Sequence, residues 1–165
     1  MKKIVVCIVG IIISVSMILI ATFGTFYFVH GYDMENVLKE NDLVWVHKTK
    51  NVGRGDVVAF YYNNKILVRR IIAQDGDKVD MDQKGHMIVN GKVLKEDYLK
   101  QLSDYKHRDI VYPYMVSKHT YFVLGDNRKE SVDSRMKDLG TIKKKDIIGK
   151  VIFRIWPLNR LGGIA

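Results

Sequence analysis

Val57-Val58-Ala59-Phe60-Tyr61-Tyr62-Asn63-Asn64-Lys65-Ile66-Leu67-Val68-Arg69-Arg70-Ile71-Ile72-Ala73 is the stretch that sets the fold class. Val57 to Tyr62 is β-branched and aromatic, and Ile66 to Ala73 is a second run of the same kind, so both are expected as strands. Asn63-Asn64 between them is turn chemistry. Moving outward, Leu43 to His47 is a short apolar-rich run. Met87-Ile88-Val89, Asn90-Gly91 and Lys92-Val93-Leu94 form a second hairpin signal, because a type I′ turn needs positive φ at both central residues. Tyr121 to Leu124 and Val151 to Ile155 are further strand candidates. The polar, mixed stretch from Glu96 to Val116 is expected to be a long connection with little regular structure. No internal repeat, low-complexity tract or long amphipathic helix interrupts this pattern. The expected fold class is mainly β, an antiparallel sheet of Greek-key-like or barrel-like form.

The N-terminal end differs. After Met1, Lys2 and Lys3, residues Ile4 to Val29 carry no charge. At ~1.5 Å per helical residue this run exceeds the ~30 Å hydrocarbon core of a bilayer, which predicts a single transmembrane helix. A cleavable leader would have a shorter apolar core and a small-x-small site, and none stands out near Ala21 to Gly24. Lys2 and Lys3 favour a cytoplasmic N-terminus and an extracellular C-terminal domain. The expected division is a stub over 1–3, an anchor over 4–29 and a β domain over 30–165. Phe23, Phe26, Tyr27, Phe28 and Tyr32 crowd the exit, where aromatic rings suit either the membrane interface or a buried helix end.

The net charge is +9; without Lys2 and Lys3, 25 Lys and Arg against 18 Asp and Glu leave +7 for the remainder. These cations are dispersed and no nucleic-acid motif accompanies them, so no nucleic-acid partner is expected. Anionic lipid or an acidic partner suits a basic domain beside a bilayer, and a solvated surface is the plainer reading. Cys7 is the sole cysteine, so no intrachain disulfide forms. His30, His47, His86, His107 and His119 show no metal-ligand spacing, and neither metal nor cofactor is expected.

Four blocks carry a specific pattern: Gly31-Tyr32-Asp33-Met34-Glu35-Asn36-Val37-Leu38, Arg54-Gly55-Asp56-Val57-Val58-Ala59-Phe60, Leu67 to Asp77, and Gly125-Asp126-Asn127-Arg128-Lys129-Glu130-Ser131-Val132-Asp133-Ser134-Arg135. Gly149 to Arg160 closes the series. In order and spacing these blocks resemble the type I signal peptidases, membrane-anchored serine proteases that use a Ser–Lys pair. Gly31, Met34, Arg70, Gly125, Asp126, Asn127, Ser131, Asp133 and Arg135 fit the family pattern. The resemblance places Asp33 where the nucleophilic serine belongs and Arg69 where the lysine base belongs. It also gives Ser131 the task of orienting that lysine, which is vacant here. Asn36 and Val37 replace a Pro-Thr pair, and without proline the loop behind residue 33 should relax. From the residues alone, Asp133 and Arg135 suit a charge-assisted pair that fixes the loop, or a solvated surface pair.

A serine nucleophile needs a neutral lysine beside it, whereas a guanidinium stays protonated and a carboxylate is a feeble nucleophile toward an amide. Asp33 and Arg69 are expected instead to form a bidentate ion pair at ~2.7–2.9 Å, against the alternative of two independently solvated charges. Lys65 shares the strand parity of Arg69 but lies ~13 Å away, too far to substitute. Ser103, Ser117, Ser131 and Ser134 lie far along the chain from the anchor exit. A shared-proton pair of Asp33 with Asp126 or Asp133 is opposed by Arg69 and Arg135, which favour the charged forms. The chain resembles the non-catalytic signal-peptidase-like accessory proteins of pilus assembly in streptococci and their relatives. That resemblance implies pilin subunits, a pilus sortase and the membrane as partners. An active signal peptidase of altered chemistry is the alternative, and a competitor of a true signal peptidase is a third reading.

Overall fold

An α-helix, α1 (Lys2–Phe23), runs directly into strand β1 (Gly24–Phe28). The computed structural model describes residues 2–103 and 109–164. Among the described residues, no helix is long and apolar enough to cross a membrane. The anchor expected over 4–29 is therefore not shown, and its last part is sheet, so the β domain starts at Gly24 rather than at residue 30. The change of conformation has a local cause. A Cβ on Gly24 would lie 1.9 Å from Trp45 Nε1, so the chain passes against the indole at the one residue without a side chain. The β-prone residues from Thr25 to Phe28 then pair antiparallel with β2 (Leu43–His47).

The other strands are β3 (Val57–Tyr62), β4 (Lys65–Gln74), β5 (Lys78–Met81), β6 (Met87–Val89), β7 (Lys92–Val93), β8 (Tyr114–Met115), β9 (Thr120–Leu124), β10 (Ile142–Lys143), β11 (Ile147–Trp156) and β12 (Gly162–Gly163). All ladders are antiparallel and make two sheets. One runs β1-β2-β11-β3-β4-β9-β10 with β12 beside β11, and the other runs β7-β6-β5-β8. Both predicted hairpins form, with positive φ at Asn63, Asn64, Asn90 and Gly91. No ladder joins β1 to β10 among the described residues, so the expected barrel is an open sheet. The connection over Glu96 to Val116 holds β8, while residues 104–108, His107 included, lie outside the described residues.

β4 positions the site because it changes partner along its length. Lys65 to Arg70 pair with β3, and Arg70 to Gln74 pair with β9. Val44, Val46, Val57, Ala59, Val68 and Val151 pack with Val29, Met34 and Leu38 on one face of the large sheet. Val58, Phe60, Ile71, Val123 and Ile147 pack on the opposite face. Ile72, Phe122 and Leu124 meet Val79, Met87 and Val89 of the small sheet in a third cluster.

The turn from β4 to β5 is held by Asp77, whose carboxylate accepts from the Gln74 backbone N–H (2.8 Å), the Asn90 amide (2.7 Å) and Arg54 (2.9 Å). Burial disfavours its charge, but these three donors outweigh it and hold the carboxyl below its ordinary value. A depressed carboxyl contributes stability above its unfolded pKa of about 3.9 and loses it as pH falls through the folded value. The stability difference between the unaltered chain and Asp77→Asn should therefore be largest near neutrality and shrink from about pH 4 downward. Denaturant titrations across that range measure it.

Candidate functional site

Asp33 sits in the loop between β1 and β2. Gly31 makes the entry at φ +82°, and the Val37 and Leu38 N–H groups both donate to the Met34 carbonyl. Met34 and Leu38 are buried in the first core and fix the loop from beneath. From above it is joined to the Gly125–Asn127 turn. The Asn127 N–H donates to the Asp33 carbonyl at 2.9 Å, the Asn127 amide to the Tyr32 carbonyl at 3.1 Å, and the Asn36 amide to the Asp126 carbonyl at 2.6 Å. Where the family pattern has a proline, Asn36 thus supplies a side-chain hydrogen bond that proline lacks.

Arg69 projects from β4 toward this loop. Its Nη2 donates to Asp33 Oδ1 at 2.6 Å, while Asp33 Oδ1 also accepts the Val132 N–H at 3.0 Å. The ion pair is formed but is not bidentate. The remaining donors go to backbone: Nε and Nη2 to the Val132 carbonyl at 2.9 and 2.8 Å, and Nη1 to the Val68 carbonyl at 2.6 Å. The Arg69 side chain is 4% exposed and that of Asp33 is 21%. Burial lowers the Arg69 pKa, and the charges of Asp33 and Asp133 oppose it. Every guanidinium nitrogen faces an acceptor, so the cation is held as a cation and offers no lone pair for a proton.

Ser131 is also buried, and its Oγ has no hydrogen-bond partner among the described residues. The resemblance assigns that hydroxyl to a lysine, and Arg69 spends its donors on Val132 and Val68 instead. Gly125 permits the close approach. A Cβ there would lie 2.1 Å from Ser131 Oγ and 2.5 Å from the Asp33 carbonyl oxygen. Gly125→Ala should destabilise the chain by about 2–3 kcal/mol, since the Asp33 backbone cannot yield as a side chain could. Thermal unfolding of the two chains tests this.

The surrounding motif residues are engaged in ion pairs. Asp133 and Arg135 form the expected pair, Nε to Oδ1 and Nη2 to Oδ2, both at 2.8 Å and buried. The solvated reading of that pair is excluded. Sequence reasoning missed two further pairs. Arg70 holds Asp126 through Nε (2.9 Å) and Nη2 (2.7 Å), and the Tyr98 ring covers the Arg70 guanidinium at 3.9 Å. Arg128 is paired with Glu96, and both side chains are almost fully buried. Strand alternation was a usable signal for Arg70, because consecutive residues of β4 face opposite sides and Arg69 was already assigned. Nothing local announced Glu96, which belongs to the connection read as irregular.

Asp33, Asp126 and Asp133 each hold a different arginine. Lys65 is exposed at the hairpin end, opposite Tyr62. Ser134 is committed, donating to the Gly140 carbonyl and accepting the Val123 N–H. Among the described residues, no group of three or more His, Cys, Asp or Glu side chains is gathered as a metal would require.

Comparison with known proteins agrees with this architecture. A family model described as "Signal peptidase, peptidase S26" matches residues 1–156. The chain is similar to Signal peptidase I P of Bacillus subtilis subsp. natto, 34% identical over 165 aligned residues that cover 90% of this chain and 88% of the relative. It is likewise similar to Signal peptidase IB of Staphylococcus aureus strain Mu50, at 34% identity over 89% of this chain and 87% of the relative. A crystal structure of a signal peptidase I from Enterococcus faecalis V583 superposes with a TM-score of 0.52 at 28% identity, covering 61% of this chain and 97% of that one.

Proposed function

The chain belongs to the signal peptidase S26 family, and we propose that within it this protein binds secretory polypeptides without cutting them. The observation that carries the reading is the Arg69 guanidinium, held among Asp33, Val68 and Val132 at the position of the base. A group so held neither accepts a proton nor leaves space for a hydroxyl to be activated. The proposed partners are pilin subunits, handed in extended form to a membrane sortase. The pilus assignment rests on resemblance to accessory proteins with the same loss of the Ser–Lys pair.

Attachment to the cell membrane, with the β domain outside, is part of this proposal. It is supported by the exposed Ile4, Val5, Ile8, Val9, Ile11, Ile12, Ile13 and Val15 of α1 and by Lys2 and Lys3 ahead of them. Incubating the purified full chain with a secretory preprotein should give no cleavage product. Specific cleavage that is abolished by Asp33→Ala would establish instead the alternative, an active signal peptidase, which the names of the relatives favour. In cells, deletion should stop pilus polymerisation while other preproteins are processed normally. Intact pili in the deletion strain would remove the partner assignment.

A further inference from the structure

The large sheet leaves two strand edges facing each other, and their hydrogen-bonding groups can be assigned from the ladder. The Asn63-Asn64 loop makes Tyr62 and Lys65 the hydrogen-bonded pair that closes the hairpin, so Lys65, Leu67 and Arg69 turn their backbone groups toward β3. Ile66 and Val68 turn theirs the other way, as does Arg70, which pairs on that side with Leu124 of β9. In β1 the Lys48 N–H donates to the Phe23 carbonyl and the Val29 N–H to the Asp42 carbonyl. The odd residues therefore bond to β2, and Gly24, Phe26 and Phe28 present their N–H and carbonyl groups outward. Between the two edges lies a groove of about 180 Å³, lined in part by Phe26, Tyr27, Ala59 and Ile66.

Both outward carbonyls of the free half of β4 are already taken by side chains of this chain. The Tyr27 hydroxyl crosses the groove and donates to the Ile66 carbonyl at 2.7 Å, and Arg69 Nη1 donates to the Val68 carbonyl at 2.6 Å. A strand added to an edge runs ~4.8 Å from it and must reach those carbonyls in the plane of the sheet. The Tyr27 hydroxyl already occupies one of them. Among the described residues, the β1 edge carries no such cap on Phe26 or Phe28 that would compete with an incoming strand.

We propose that Tyr27 and Arg69 close the β4 edge against strand addition, so that an extended partner pairs with β1 alone, and that Tyr27 is the residue that decides this. The inference rests on the reading that the protein binds extended polypeptide. A partner held along one edge keeps its other edge free for a second protein, which suits transfer of a chain better than retention of it.

The test uses the full chain in detergent and a synthetic peptide of alternating alanine and valine with lysine ends, followed by residue-resolved amide exchange. The expected result is slowed exchange at Phe26 and Phe28 and none at Ile66 and Val68. Tyr27→Phe removes the hydroxyl that competes for Ile66, and should add protection at Ile66 and tighten binding about 2–10-fold, the worth of one net hydrogen bond. Protection of Ile66 and Val68 in the unaltered chain, or a Tyr27→Phe chain that binds identically on β1 alone, overturns the gate while leaving peptide binding intact. Absence of binding by both chains overturns the binding reading itself, and the gate with it.

Discussion

Asp126→Ala is expected to lower stability by about 3–5 kcal/mol, the range for removing one partner of a buried ion pair. Both side chains are essentially inaccessible, at 2% for Arg70 and 0% for Asp126. Both hydrogen bonds from Arg70 to Asp126 would vanish, while the Gly55 carbonyl at 2.8 Å and the face of the Tyr98 ring would still meet the guanidinium. For a chain of this size the loss corresponds to about 6–20 °C in midpoint temperature. Arg70→Met in the same chain should recover much of it, because an apolar side chain of similar length needs no counter-charge. Thermal unfolding of the four members of the cycle measures the coupling. A loss below about 1 kcal/mol for Asp126→Ala would mean that the pair is solvated in the working protein.

Glu96→Ala is expected to have an effect of the same size for a different reason. Arg128 is fully enclosed and donates to Glu96, to Ser103 and to the Gly125 carbonyl. Its side chain thereby binds the connection after β7 to the turn that holds Asp33. Burial lowers the Arg128 pKa, but the adjacent Glu96 carboxylate more than compensates and raises it above its ordinary value. Without Glu96 the guanidinium would remain charged and buried beside a hydroxyl, at a loss of about 3–5 kcal/mol. Glu96 also accepts from the Tyr98 hydroxyl at 2.7 Å, so Tyr98 should loosen with it and uncover Arg70. Amide exchange should therefore show the damage spreading from Leu99 to the Asn127 turn. Destabilisation confined to residues 96–103 would show that the two loops are energetically separate.

Much of the candidate site was legible in the sequence. The resemblance to the signal peptidases put Asp33 and Arg69 at positions that touch, and the structure places them in contact at 2.6 Å. The form of the contact was not legible. Its geometry depends on the Val68 and Val132 carbonyls, which compete for the same guanidinium and reduce the expected fork to a single bond to Asp33. The Asp133–Arg135 pair was readable because its partners lie only two positions apart. Arg70 and Asp126 are 56 residues apart, and Arg128 and Glu96 are 32 apart, so only the packed fold could join them. Strand β1 was hidden for another reason. Its residues continue an uncharged run, and hydropathy does not separate the end of an apolar helix from a half-buried strand.

The sequence by itself determined the strand-rich class, both tight hairpins and the absence of a proton-accepting residue at position 69, because these follow from backbone preference and side-chain chemistry at single positions. Only the tertiary structure decided that the helix stops at Phe23, that three neighbouring carboxylates each hold a separate arginine, and that Tyr27 reaches across to Ile66. Those are contacts between distant segments, set by which strand edges the sheet leaves unpaired and by the need of each buried charge for a partner.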